Sequence, residues 1–426
     1  MTADVRSLRE PTLRFPEFVG RRLPVVRLRD VTVEAKLRNG DKLSPASVMG
    51  VRKHDGIVPM QEGLAASNIT RYKIVRPHWF AYNPMRLNIG SIARWNGDDD
   101  ILVSPDYVVF RCTNGSDNYA LSADYLDQFR QSEQWNSFVS EAGDGGVRVR
   151  IYYNDIAELR LALPDIAEQQ KIADCLGSLD DLIAAEGRKL EALRRHKKGL
   201  MQQLFPQPGE TVPRLRFPEF EGAQAWKHVP LASLLVRMPD YGVSAPAVPF
   251  SDNLPTYIRI TDINDDGRFH PSDRSSVDIE ATDDQYLEAG DIVLARTGAS
   301  VGKSYLYREE DGRLVYAGFL IRVRPDPKLL FSRFLAAYLS TSSYWDWVYV
   351  TSERSGQPGI NSTEYASMPL PIPQDGSALA EQRKIADCFS CLDDQISVQA
   401  CLLDTLKRHK QGLLQQLFLR PEASGA

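Results

Sequence analysis

Residues 167–206 read AEQQKIADCLGSLDDLIAAEGRKLEALRRHKKGLMQQLFP, and residues 380–419 read AEQRKIADCFSCLDDQISVQACLLDTLKRHKQGLLQQLFL. Aligned without a gap, more than half of the positions are identical, which marks an internal duplication. Apolar residues fall at Ile172, Leu176, Leu179, Ile183, Leu190, Leu193, Leu200 and Leu204 in the first copy. In the second they fall at Ile385, Phe389, Leu392, Ile396, Leu403, Leu406, Leu413 and Leu417. Spacings that alternate four and three make a narrow heptad seam, whereas a helix packed on its own domain shows a broader stripe. The pattern predicts two long helices, each reaching about 50 to 60 Å, that pair with one another. Polar residues interrupt the seam at equivalent places: Glu186 and Lys197 in one copy, Gln399 and Lys410 in the other. An antiparallel register that matches them sets Glu186 opposite Lys410 and Lys197 opposite Gln399, with Leu190 beside Leu406 and Leu193 beside Leu403. A register half a heptad away overlaps the helices more fully but places those charges against leucine. Polar seam residues commonly specify register, so the matched arrangement is the expectation.

A shorter repeat precedes each globular region: PTLRFPEF at 11–18 and PRLRFPEF at 213–220. The plan is therefore an entry segment, a region of roughly 150 residues and a long helix, used twice. Both regions carry β-branched and aromatic runs typical of strands. In the first these are SPDYVVFRC and GVRVRIYY; in the second, TYIRITDI, DIVLART, SYLYRE and LVYAGFLIRVRP. FSRFLAAYLSTSSYWDWV reads as one amphipathic helix, and FPQPGETVPR at 205–214 as a linker. The fold class is α+β: two tandem mixed regions with two long helices forming an antiparallel coiled coil. The boundaries are an entry segment 1–20, a first region 21–165, a helix 166–206, a linker 207–221, a second region 222–375, a helix 376–420 and a tail 421–426.

The 426 residues carry 51 Lys+Arg against 56 Asp+Glu, a net charge of −5. If such a chain binds nucleic acid, its positive charge must be segregated onto one face or completed by a partner. No window resembles a membrane span or a secretory signal, and five cysteines are too few for a disulfide framework. A cytoplasmic protein is expected.

Familiar catalytic patterns fail on their details. Thr297-Gly-Ala-Ser-Val-Gly302-Lys303-Ser304 is close to a phosphate-binding loop, but Thr297 replaces the first glycine and a strand-like run follows where a helix is required. It reads as a Gly-rich turn that brings Arg296 and Lys303 to a surface. Tyr82-Asn83-Pro84-Met85 lacks the second proline and the aromatic of an amino-methyltransferase loop, and reads as a plain turn. Cys388 and Cys391 form a C-x-x-C whose first copy has Cys175 and Ser178, and no second pair completes a zinc site. His196 and His409 are repeat equivalents on basic helix ends. No catalytic residue and no metal ligand is assigned. What remains is basic and aromatic: Arg71, Lys73, Arg76, Arg86 and Arg94 in the first region, and Tyr241, Arg296, Lys303, Arg354 and Gln357 in the second. Such side chains touch phosphates and read base edges, and they are the candidate DNA contacts.

The chain resembles the specificity subunits of type I restriction-modification systems. The resemblance rests on the paired RFPEF segments, ILVSPDYVVFR, GDIVLARTGASVGKS and the duplicated EQ-x-K-I-A-D-C…LDD…L-x-R-H-K-x-G-L-x-Q-Q-L-F helices, and covers nearly the whole chain. One departure is RRLPVVRL at 21–28, which lacks the tryptophan present in the second copy as Trp226. The resemblance implies two target recognition domains, each reading half of a bipartite double-stranded DNA site, and a coiled coil that sets the distance between the halves. Ile172, Leu179, Glu186, Leu190, Leu193, Lys197, Ile385, Leu392, Gln399, Leu403, Leu406 and Lys410 would form that coil and its partner interface. It also implies two methyltransferase subunits carrying S-adenosylmethionine, and restriction/translocase subunits using ATP and Mg. This chain itself would be non-catalytic and free of cofactors. The alternatives are the specificity subunit of a type IIB-like system, a P-loop NTPase using Lys303, and a coiled-coil scaffold without a DNA role.

Overall fold

The computed structural model describes residues 11–40, 42–53, 55–60, 68–113, 119–142, 150–264, 266–353 and 358–419. Two helices dominate it, Ile166–Leu204 with 39 residues and Ala378–Leu417 with 40. The chain divides into two compact units, residues 1–187 with 401–426, and residues 188–400. Each unit thus holds half of each long helix together with one globular region.

The first unit is built on an antiparallel four-stranded sheet in the order Thr32–Glu34, Val108–Cys112, Phe80–Tyr82, Ile92–Arg94. Alternating side chains of a strand point to opposite faces. Phe80, Tyr82, Phe110 and Ile92 accordingly join a core with the helices, while Ala81, Val109 and Ala93 pack against Val75, Ile101 and Val103. The second unit repeats the arrangement, in the order Asp240–Tyr241, Leu320–Val323, Ile292–Ala295, Ser304–Leu306. Ile292, Leu294, Ile321 and Val323 face its helices, and Val293, Ala295, Tyr305 and Leu320 face a second core. Beyond this shared sheet the units differ. The second adds a four-stranded sheet containing one parallel pair, Thr256–Ile258 with Leu314–Tyr316, and the first has two separate strand pairs instead.

Two expected elements change form. FSRFLAAYLSTSSYWDWV is two helices, Ser332–Tyr338 and Ser342–Ser352, because the Thr341 hydroxyl accepts from the Tyr344 N–H at 3.3 Å and starts a new helix. The described end of GVRVRIYY is not a strand; Tyr153–Ala157 is helical, with Asp155 accepting from the Tyr152 N–H at 2.7 Å. In the first unit, helices Ala123–Phe129 and Glu133–Glu141 correspond to that helix pair, and their N-caps Ser122 and Ser132 stand where Phe331 and Thr341 do.

The RFPEF segments act as clasps. Arg14 makes a two-pronged ion pair with Glu168 at the start of the first long helix, both bonds 2.7 Å, and Arg216 does the same with Glu381 at 2.7 and 2.8 Å. All four side chains are nearly buried. In the same segments the Leu13 N–H donates to Gln416 O, and the Leu215 N–H to Gln203 O. Each clasp therefore ties the start of one long helix to the end of the other, within its own unit. The next helical residue continues the pattern. Gln169 accepts from the Ser122 N–H and Gln382 from the Phe331 N–H, both at 2.9 Å.

Candidate nucleic-acid interface

The hairpin after strand Phe80–Tyr82 and the hairpin after Ile292–Ala295 occupy corresponding places in the two sheets. In the first, Asn83 accepts from the Met85 N–H at 3.0 Å and closes a plain turn, as its sequence predicts. The turn leaves Met85, Arg86 and Ile89 exposed. In the second, Arg296 lies with its guanidinium 4.8 Å from the centre of the Tyr241 ring, a cation–π contact. The Tyr241 hydroxyl bonds the Ser362 side chain and accepts from the Ser362 N–H at 3.1 Å, and together these hold its pKa below the usual tyrosine range. Beneath them Arg322, only 1% exposed, bonds Asp240 at 2.7 and 3.2 Å and so fixes the strand that carries Tyr241. Sequence reading missed this support, since an Arg inside a strand run gives no sign that it is buried.

Thr297–Ser304 is a hairpin with a single 3-10 turn at Gly298–Ser300, and strand Ser304–Leu306 follows Lys303. A phosphate-binding loop opens a helix, so the NTPase reading of Lys303 is overturned. The glycine has a packing reason instead. Gly302 has φ +86°, and a Cβ there would lie 2.7 Å from Val348. Its carbonyl also accepts from the Tyr344 hydroxyl at 2.6 Å.

Two expected DNA contacts are drawn inward. Lys73 is buried, its ammonium donates to Tyr107 O at 2.5 Å, and burial lowers its pKa. Arg94, 14% exposed, is ion-paired with Asp124 and lies 3.8 Å from Asp127, tying its strand to helix Ala123–Phe129. Arg71 and Arg76 stay exposed. Arg76 sits over the Trp79 ring at 5.6 Å and 3.7 Å from Asp100. Next to it, His78 holds a positive φ of 66°, a conformation uncommon outside glycine. Arg354 and Gln357 lie outside the described residues.

The helix seam is present but in a different register from the one expected. Ile172, Leu190, Ile385 and Leu392 are buried, and Leu179, Leu193, Leu403 and Leu406 are partly so. In the first unit Ile172 and Leu176 share a core with Leu414 and Leu417, so the segments run antiparallel. There Lys410 reaches Asp180 at 2.5 Å and Gln131 at 2.7 Å, level with Leu179 rather than with Glu186. In the second unit Lys197 reaches Asp393 at 2.5 Å, level with Leu392 rather than Gln399. A long lysine stem can lie along leucine while its ammonium bends to a neighbouring carboxylate, so the charge need not face a polar seam residue.

At the repeat ends, Phe205 packs against Trp226 and Phe389, and Phe418 against Tyr125 and Phe129. Leu23, in the stretch lacking the tryptophan, borders a cavity of about 10 Å³ beside Tyr125 and Phe418. Among the described residues, no helix is long and apolar enough to cross a membrane.

Residues 251–408 match the family model for the type I restriction modification DNA specificity domain. A putative type I restriction enzyme MjaX specificity subunit of Methanocaldococcus jannaschii is 26% identical over 145 residues, which span 34% of this chain and 34% of that protein. The fold is similar to a type I restriction-modification S subunit from M. genitalium. That likeness has a TM-score of 0.61 at 12% identity and covers 98% of this chain and 100% of the other. A chain from a structural study of complex assembly and conformational transition of the type I R-M system aligns with TM-score 0.53 at 20% identity, over 94% of this chain and 100% of that one. Over residues 251–408 the chain is thus similar to type I restriction-modification specificity subunits, and its fold is shared with that of solved S subunits along nearly the whole chain.

Proposed function

We propose that the chain recognises double-stranded DNA in the cytoplasm, each unit reading one half of a bipartite, asymmetric target. The observation that carries this reading is the same sheet-and-helix frame built twice with different exposed loops: Arg86 on one hairpin, Arg296 with Tyr241 on its counterpart. Arginine on a loop held by a rigid sheet suits guanine edges and phosphates. The paired long helices act as a coiled coil that sets the unread gap and receives two methyltransferase subunits, which bring S-adenosylmethionine. Restriction/translocase subunits, using ATP and Mg, join for cleavage. This chain contributes recognition rather than catalysis.

Methylome sequencing of a host expressing the chain with its methyltransferase partner tests the proposal. A gapped, asymmetric motif is expected, and a continuous or palindromic one contradicts it. Replacing residues 222–375 with another recognition domain should change one half-site only; changes in both halves overturn the modular reading.

A further inference from the structure

We infer that the second unit carries a nucleotide-binding cleft for which the first unit has no room. The inference starts from corresponding positions. Gln169 and Gln382 bond equivalent backbone amides at Ser122 and Phe331, which aligns helix Ala123–Phe129 with Ser332–Tyr338. In that alignment Gln128 and Gln131 correspond to Ala337 and Ser340. Both units hold a lysine–aspartate pair at this point, Lys410 with Asp180 and Lys197 with Asp393. In the first unit the two glutamines bond the pair and cover its lysine, while Asp180 stays as exposed as Asp393. Gln128 donates to Asp180 at 2.9 Å and Gln131 accepts from Lys410 at 2.7 Å, leaving Lys410 9% exposed. Alanine and serine cannot fill that volume in the second unit, where Lys197 is 23% exposed.

The space is an open cleft of about 350 Å³, continuous through Lys197, Ser340 and Asp393 with a recess of about 730 Å³. Both volumes are of small-ligand size. The chemistry of the smaller cleft is selective. Arg194, Lys198 and Lys303 line it with Asp266 and the Lys197–Asp393 pair, so four cations stand against two carboxylates. Ser304, Ser342 and Ser343 bring hydroxyls to the same lining, while those of Ser340 and Thr341 donate to the Ala336 and Tyr338 carbonyls. Trp345, 43% exposed, stands at the same wall, and a Cβ on Gly302 would lie 3.2 Å from its ring, so the indole borders the Gly302–Lys303 turn. Cations with hydroxyls hold phosphate, and an exposed indole offers a face on which a base can stack. Together they fit a nucleotide, whether free or within a nucleic-acid strand.

The test uses the full-length chain with two probes, adenosine triphosphate by calorimetry and a labelled single strand lacking any target by fluorescence anisotropy. Ala337→Gln combined with Ser340→Gln fills the cleft with the first unit's side chains, and Trp345→Ala removes the stacking face. We expect one nucleotide equivalent per chain, and affinity about tenfold weaker in each variant while the melting temperature holds. Loss confined to adenosine triphosphate identifies a free nucleotide as the ligand, and loss confined to the strand identifies nucleic acid. Lys198→Ala, at an exposed position, repeats the comparison if the glutamine pair disturbs folding. Parent-like binding of both probes by variants that melt like the parent overturns the inference, as does failure of the parent to bind either. Arg86 and Arg296 lie outside the cleft, so variants there report target reading separately.

Discussion

The two units hold the same lysine–aspartate pair, but one covers its lysine with glutamine and the other leaves the lysine at the floor of a cleft. Around that point everything that defines the frame is matched. The arginine clasps, the glutamines on the helix–sheet junction, the order of the four-stranded sheets and the phenylalanine at each repeat end all have counterparts. The difference teaches where variation is cheap. A frame closed by a few buried, satisfied polar contacts tolerates divergence in the loops and strand pairs hung upon it, because those additions do not enter its core.

The largest expected effect tests whether the clasps are equivalent. Arg14→Ala and Arg216→Ala each strand a buried glutamate, and each should cost about 3–5 kcal/mol. Urea unfolding of the full chain should show losses of similar size; a large loss from only one variant breaks the symmetry.

Making the first unit resemble the second comes next. Gln128→Ala with Gln131→Ser removes the partners that Lys410 and Asp180 have in the first globular region, at about 1–3 kcal/mol. The thermal melt should shift accordingly, and an unchanged melt would mean the glutamines seal nothing.

Sharper still is a pair of double-mutant cycles. The Asp180–Lys410 coupling should be on the order of 1 kcal/mol, discounted because Asp180 is partly solvated. Asp393–Lys197 should couple less, since water reaches both partners. Equal couplings would show that the cleft leaves its ion pair as protected as the one beneath the glutamines. A cycle between Glu186 and Lys410 stronger than that of Asp180 would restore the polar-matched register.

The smallest effect concerns DNA. Arg86→Ala and Arg296→Ala should each lower the log–log salt slope of binding by about one unit if the residue contacts phosphate. Lys73→Ala and Arg94→Ala should leave that slope alone and lower stability instead. A slope change from Lys73→Ala would bring that residue back to the interface.

Much of this architecture is visible in the residues. The duplicated stretch and its four–three spacing announce the long helices, and the twin RFPEF segments announce a matched role without revealing its partner. Glu168 and Glu381 sit inside the repeat itself, yet nothing in their spacing says that an arginine some 150 residues away will bury them. The break in Ser332–Ser352 had a readable signal in the Ser-Thr-Ser-Ser run, which favours a cap over continuation. The equivalence of the two sheets had none, since strands of two to five residues with different side chains do not align by eye.

By itself, then, the sequence determined the frame: two copies, two helices with apolar seams, two entry segments and a Gly-rich turn that does not open the helix of a P-loop. Those features follow from periodicity and from local backbone preference, which act within a few residues. Tertiary structure alone decided which cations face water, which lysine meets which aspartate, and which unit keeps an open cleft. Lys73 and Arg94 turn inward, and Lys410 passes Glu186 for Asp180, because long charged side chains settle on whichever buried acceptor the fold brings within reach.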